Sequence, residues 1–166
     1  VAGRQYDHGW RGCARTYATL LDYHRRLRPE RMTAALGLRP HWTARRGEQA
    51  VLGRVVPRNV WARGTRGRFR SRDVRLHIDK VLDELRGKER RIGRLRKQGC
   101  AFAISCFWES VSGNGGPAFD PAMMRRLARY AIELQLDLWL DLPARGGRAK
   151  SGRARVNAER KGKESG

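Results

Sequence analysis

Apolar positions recur along residues 13–142 with two alternating periods. Arg15–Asp22 is rich in β-branched and aromatic residues, which predicts a first strand. Pro29 suits the opening turn of a helix, where its missing N–H has no partner to lose, and Met32, Ala35 and Leu36 give that helix an apolar stripe. Gly37 and Pro40 stop it, and His41–Pro57 reads as a loop. Arg58–Arg63 is a second strand, broken by Gly64-Thr-Arg-Gly67. Asp73 can cap the next helix, where Ile78, Val81, Leu82 and Leu85 recur at helical spacing. Gly87 interrupts the pattern before Ile92 and Leu95 resume it, which predicts a helix in two pieces.

The later half is more regular. Phe102, Ile104, Cys106 and Trp108 alternate along a third strand. Gly113–Gly116 turns the chain, Asp120-Pro121 supplies a cap and a first-turn proline, and Met123, Leu127, Tyr130 and Leu134 line one helical face. Leu136–Leu142 then alternates strictly, the leucines facing inward and Asp137, Trp139 and Asp141 outward, as in a strand buried on one face. Pro29-Glu-Arg-Met32 occupies the same place in the first half as Pro121-Ala-Met-Met124 in the second. The order implies an α+β domain: a four-stranded, mainly antiparallel sheet with helices on one face, two βαβ-like halves in a ferredoxin-like plan, joined by a helical linker. Residues 1–12 read as a flexible arm, 13–143 as the domain, and 144–166 as a disordered basic tail of arginine, glycine and lysine.

Charge adds a second layer. The net charge is +21, distributed unevenly as +13 over residues 1–72, +2 over 73–144 and +6 over 145–166. No apolar run approaches the roughly 20 residues that span a bilayer, and the first residues lack a basic-then-apolar signal, so a cytoplasmic location is expected. Three cysteines argue against a disulfide scaffold, and His8, His24, His41 and His77 are scattered without zinc spacing. No cofactor or metal is expected.

Leu36-Gly37-x-x-Pro40, Gly47-Glu48, Trp61 and the Asp73–Leu85 helix with His77 form one ordered set. The Cys100–Trp108 strand, Gly116, Phe119-x-Pro121 and Leu136–Trp139 form another. In order and spacing these resemble the bacterial family known as domain of unknown function 4279, over about residues 13–142. The resemblance implies a small α+β domain without an established activity, and it carries no catalytic residues.

The candidate sites are weighed on chemistry. Gly113–Gly116 lacks the Gly-Lys-Ser/Thr ending of a phosphate loop, and Asp120 stands where the phosphate would sit, which favours a plain turn. Asp137 and Asp141, four residues apart on a strand, would be separated by about 13 Å, too far for a glycosidase pair. Asp137, Trp139 and Asp141 together form a candidate protein-contact face, since an outward tryptophan is a common anchor. Arg45, Arg46, Arg63, Arg66, Arg68, Arg70, Arg145, Arg148 and Arg153 are candidate phosphate contacts for sequence-blind nucleic-acid binding. The outward carboxylates disfavour a base-stacking platform across the sheet. The function expected is a non-enzymatic, macromolecule-binding module, with nucleic-acid binding through the Arg-rich loop and tail as the alternative.

Overall fold

The computed structural model describes residues 4–49 and 53–140. Strand β1 (Cys13–His24) is followed by α1 (Pro29–Leu36), β2 (Trp42–Ala44), β3 (Asn59–Gly64), α2 (Val74–Glu84), α3 (Glu89–Lys97), β4 (Ala101–Ser110), α4 (Pro121–Tyr130) and β5 (Glu133–Trp139). Among the described residues the sheet has five strands, in the order β2-β3-β1-β4-β5. β1 runs antiparallel to β3 and β4, β2 antiparallel to β3, and β4 parallel to β5.

The α+β class and the element order follow the sequence pattern, but the sheet differs from the expected plan in two ways. The extra strand, β2, lies inside the expected loop; three residues are too few to show an alternation. The two halves are also not interleaved. In the first, β3 sits between β1 and β2, whereas in the second β4 and β5 are adjacent and parallel, joined by α4. A ferredoxin-like sheet would place β1 between strands of the second half, and here both lie on one side of it.

Local chemistry explains the helix boundaries. Pro29 and Pro121 both sit in first turns, and the Asp120 carboxylate accepts from the Met123 N–H at 2.8 Å. Asp73 caps α2 through the Arg75 N–H at 3.0 Å. Gly37, at φ 63°, closes α1 in the left-handed conformation, and Gly87, at φ 74°, separates α2 from α3. α4 stops at Tyr130, so Leu134 belongs to β5 and not to the expected helical stripe.

One face of the sheet carries the core. Ala18 and Leu20 of β1 pair with Cys106 and Ile104 of β4 and pack, with Trp61, against Ile78, Val81 and Leu82 of α2 and Met123 and Leu127 of α4. Each large aliphatic side chain removed from water this way contributes roughly 1.5–3 kcal/mol. The expectation that the β5 leucines face inward is corrected at the sheet edge. Leu134 packs on the core, but Leu136, Leu138 and Leu140 remain 47%, 40% and 43% exposed. Leu136 and Leu138 lie on the same face as Cys106 and Trp108, but on an edge strand with nothing beyond it to complete their cover among the described residues. Leu142 lies outside the described residues.

Residues 4–12 have no apolar periodicity and are held by polar contacts instead. Tyr6 Oη donates to Asp79 at 2.9 Å, the Asp7 N–H donates to Asp73 at 2.9 Å, and Arg4 pairs with Asp120 at 2.9 Å. Burial and the Asp79 carboxylate push the Tyr6 hydroxyl up to about 12. The basic tail lies outside the described residues.

Candidate functional site

Strand register fixes what the opposite face presents. Thr19 pairs with Gly64 and Ser105, Tyr17 with Phe107, and Phe107 with Asp137, so these residues share the face turned away from the core. Among the described residues no helix joins the apolar side chains there; the small cluster of Tyr23, Ala44, Val56 and Val60 comes from strands and the β2–β3 loop alone. Aromatic rings cross this face in a row. Tyr17 stacks on Phe107 with centroids 4.7 Å apart, and Phe107 meets Trp139 at 6.2 Å. Arg66 lies 5.4 Å from the Tyr17 centroid and Arg15 5.1 Å from that of Phe107. Trp42 and Trp139, on opposite edge strands, are 56% and 54% exposed.

At the N-terminal end of β1 the face opens into a cleft of about 340 Å³ between β1 and the 64–72 loop. Its lining includes His8, Tyr17, Arg66, Phe69, Arg70 and Arg72, together with Arg15. Arg15 is paired with Glu109 at 3.0 Å. Arg66, Arg70 and Arg72 have no carboxylate partner among the described residues.

The loop that forms this wall is anchored at several points. The buried Thr65 hydroxyl accepts from the Ala18 N–H at 3.0 Å. His77, fully buried on α2, faces the Ser71 carbonyl through Nε2 at 3.0 Å and the Thr65 hydroxyl through Nδ1 at 2.8 Å. A carbonyl only accepts, so Nε2 carries the proton; in the neutral ring Nδ1 is an acceptor facing the Thr65 hydroxyl, which also lies 3.1 Å from the Ala18 carbonyl. Burial holds the imidazole below the usual histidine range, which favours this neutral form. Gly67, at φ 75°, supplies the left-handed turn.

The structure separates the sequence-predicted arginines by partner. Arg63 forks onto Glu84, at 2.6 Å and 2.9 Å, and Arg68 reaches the same carboxylate at 2.9 Å. Arg45 pairs with Glu30 at 2.8 Å. The Arg46 N–H donates to Asn59 at 2.8 Å, away from the cleft. Among the described residues, Arg66 and Arg70 of the predicted set meet in the cleft, joined by Arg72 from the same loop and by Arg15 and His8, which sequence reasoning missed. Their convergence depends on strand pairing and on a loop fold that no periodicity encodes. Arg145, Arg148 and Arg153 lie outside the described residues.

The Asp137–Trp139 element is present as an exposed pair, the indole N–H donating to the Asp137 carboxylate at 3.2 Å. Asp141 lies outside the described residues. All three cysteines are buried and free, and burial pushes the Cys106 thiol up to about 12, far from a thiolate nucleophile. Among the described residues no group of three or more His, Cys, Asp or Glu could hold a metal ion, and no helix is long and apolar enough to cross a membrane.

No curated protein and no solved structure matches the chain. A family model, described as Domain of unknown function (DUF4279), matches residues 14–141, which takes in every helix and strand of the sheet apart from the first residue of β1. The chain belongs to that family.

Proposed function

We propose that this protein is a non-enzymatic binding module that docks another protein on the helix-free face of its sheet. The observation that carries this reading is the pair of half-exposed tryptophans, Trp42 and Trp139, at the two edges of that face. Tryptophan is enriched among residues that dominate binding energy, and aromatic Tyr17 and Phe107 already form a rigid floor between the edges. Charge on the face is mixed. Arg15 of the central strand is paired with Glu109 of β4, while Arg66 stands over Tyr17 and Asp137 lies on the β5 edge. That pattern suits a protein surface with the opposite polarity and opposes a polyanion laid across the whole sheet. Of the buried groups Asp22, Asp73, His77 and Asp79, the last three are engaged in structural contacts, which supports a binding role over catalysis.

The test compares partner capture by the full chain with capture by a Trp42→Asp, Trp139→Asp double variant and an Arg90→Glu, Arg94→Glu control on the helical side, all checked by thermal melting. The reading expects a discrete protein retained by the wild type and the control and lost with the double variant. Identical capture by all three overturns it.

A second reading, electrostatic nucleic-acid binding, is favoured by one observation: Arg66, Arg70 and Arg72 converge without acidic partners among the described residues. It is weakened by the commitment of Arg45, Arg63 and Arg68 to Glu30 and Glu84. Nuclease treatment separates the two, since only the second predicts loss of the captured material.

A further inference from the structure

We propose that the cleft between β1 and the 64–72 loop is a binding site for a phosphate group joined through a sugar to a planar base, the chemistry of a nucleoside phosphate. This goes beyond protein docking and does not need it. Three things support it. First, guanidinium groups present planar forks of N–H donors that match phosphate oxygens, and three of the four arginines in the cleft lack a carboxylate among the described residues. Like charges gathered in one concavity repel one another, and an anion seated among them relieves that cost.

Second, the site is built and not a chance meeting of long side chains. Thr65 ties the loop to β1, His77 holds Ser71 from beneath, and the Arg72 N–H donates to the His8 carbonyl at 3.1 Å. The His8 ring lies 3.2 Å from the Ser71 hydroxyl, which closes the rim. Arg68, whose position on the loop would otherwise bring a fifth guanidinium, is drawn off to Glu84. The loop can therefore present Arg66 and Arg70 from a fixed backbone.

Third, the cleft is not purely polar. Tyr17 and Phe69 line it; Tyr17 already stacks on Phe107 and Phe69 carries Arg68 and Lys80, so the flat surface left for a base is the Arg66 guanidinium, laid over Tyr17 and backed by it. A volume of about 340 Å³ is at the lower end of small-molecule sites, enough for a single nucleotide and too small for an extended strand. A bare anion would leave the Arg66–Tyr17 stack unused, and an uncharged ring would leave the arginines unneutralised.

The phosphate can come from a free mononucleotide or from one residue of a single-stranded nucleic acid. Calorimetric titration of the full chain with adenosine monophosphate, adenosine, inorganic phosphate and a short oligoadenylate distinguishes these sources. The variants are Arg66→Ala with Arg70→Ala, and Arg90→Ala with Arg94→Ala, an equal charge change on the helical side that controls for general electrostatics. All four positions are exposed, so thermal melting is expected to show folded protein in each case. The expected result is salt-sensitive binding of the monophosphate, absent with adenosine and weakened about tenfold or more by the cleft variant but not by the control. Binding of the oligoadenylate alone, with the same dependence on the cleft, assigns the phosphate to a nucleic-acid chain and sustains the site. Absence of binding by both the monophosphate and the oligoadenylate overturns it, as does inorganic phosphate binding as tightly as the monophosphate, and so does equal weakening by both double variants.

Discussion

Tyr17 stacks on Phe107 across the β1–β4 pair, with ring centroids 4.7 Å apart and planes 8° from parallel. The two residues are register partners, so the contact follows from strand pairing and not from loop conformation. Phe107 is nearly buried although no helix covers it among the described residues; Tyr17, Trp139 and the Arg15 guanidinium close over it instead. Replacing Phe107 with alanine is expected to cost about 3 kcal/mol in urea unfolding. Tyr17→Leu keeps the apolar cover and should cost about 1 kcal/mol, the worth of an aromatic pair.

Asp22 lies on the core face of β1, with one carboxylate oxygen lacking any hydrogen-bond partner among the described residues. Burial raises its pKa from 3.8 to about 6, against smaller lowering effects from His24 and the Ala101 N–H. The folded state therefore holds this proton more tightly than the unfolded chain. Its contribution to stability is complete below about pH 3.8, falls as pH rises through 6, and is lost above. Asp22→Asn should stabilise the domain by at most about 3 kcal/mol at pH 7.5 and by little at pH 3.5. Urea titrations of both proteins at the two pH values check the sign.

Glu84 receives both Arg63 and Arg68. Burial would raise its pKa, but these hydrogen bonds outweigh that and hold the carboxyl below the usual range. Its stabilising effect is present at neutral pH and declines as pH falls through the folded-state pKa. Glu84→Gln is expected to cost about 2 kcal/mol and to release Arg68 toward the cleft. Faster amide exchange across residues 64–72 would register the second effect.

Ala131 ends α4 in the left-handed conformation, at φ 47°, a position usually taken by glycine. Arg96 donates to its carbonyl at 2.9 Å and so supports the strained turn from α3. Ala131→Gly is expected to raise stability by about 1 kcal/mol, the relief of the left-handed penalty outweighing the added chain entropy. A rise in thermal midpoint is the readout.

The same position shows where sequence reading reaches its limit. The stop of α1 is signalled by Gly37, whereas α4 stops at an alanine that carries no such signal, and Leu134 keeps the helical spacing beyond it. Strand alternation and capping residues are local, so β1, β4, α2 and the two-piece linker were legible. Strand order is not local. Nothing in the alternation after Glu133 says that the strand pairs parallel to β4 at an edge no described element covers, and hence that Leu136 and Leu138 stay half exposed. For the candidate site, Trp139 and Asp137 were legible because outward residues alternate with leucines. The cleft was not, because it needs Arg15 of β1, His8 of the first segment and the 64–72 loop brought together. Arginine runs overstate it as well, since only the fold reveals that Glu84 and Glu30 absorb Arg63, Arg68 and Arg45.

The central claim is that partners meet this domain on the helix-free face. A photoreactive residue placed at Ser105, in the middle of that face, or at Arg90, on the helical side, tests it in living cells that express the full chain. Irradiation is predicted to give a protein adduct of discrete mass from position 105 and none from position 90. No adduct from position 105, or the same adducts from both positions, would contradict the account.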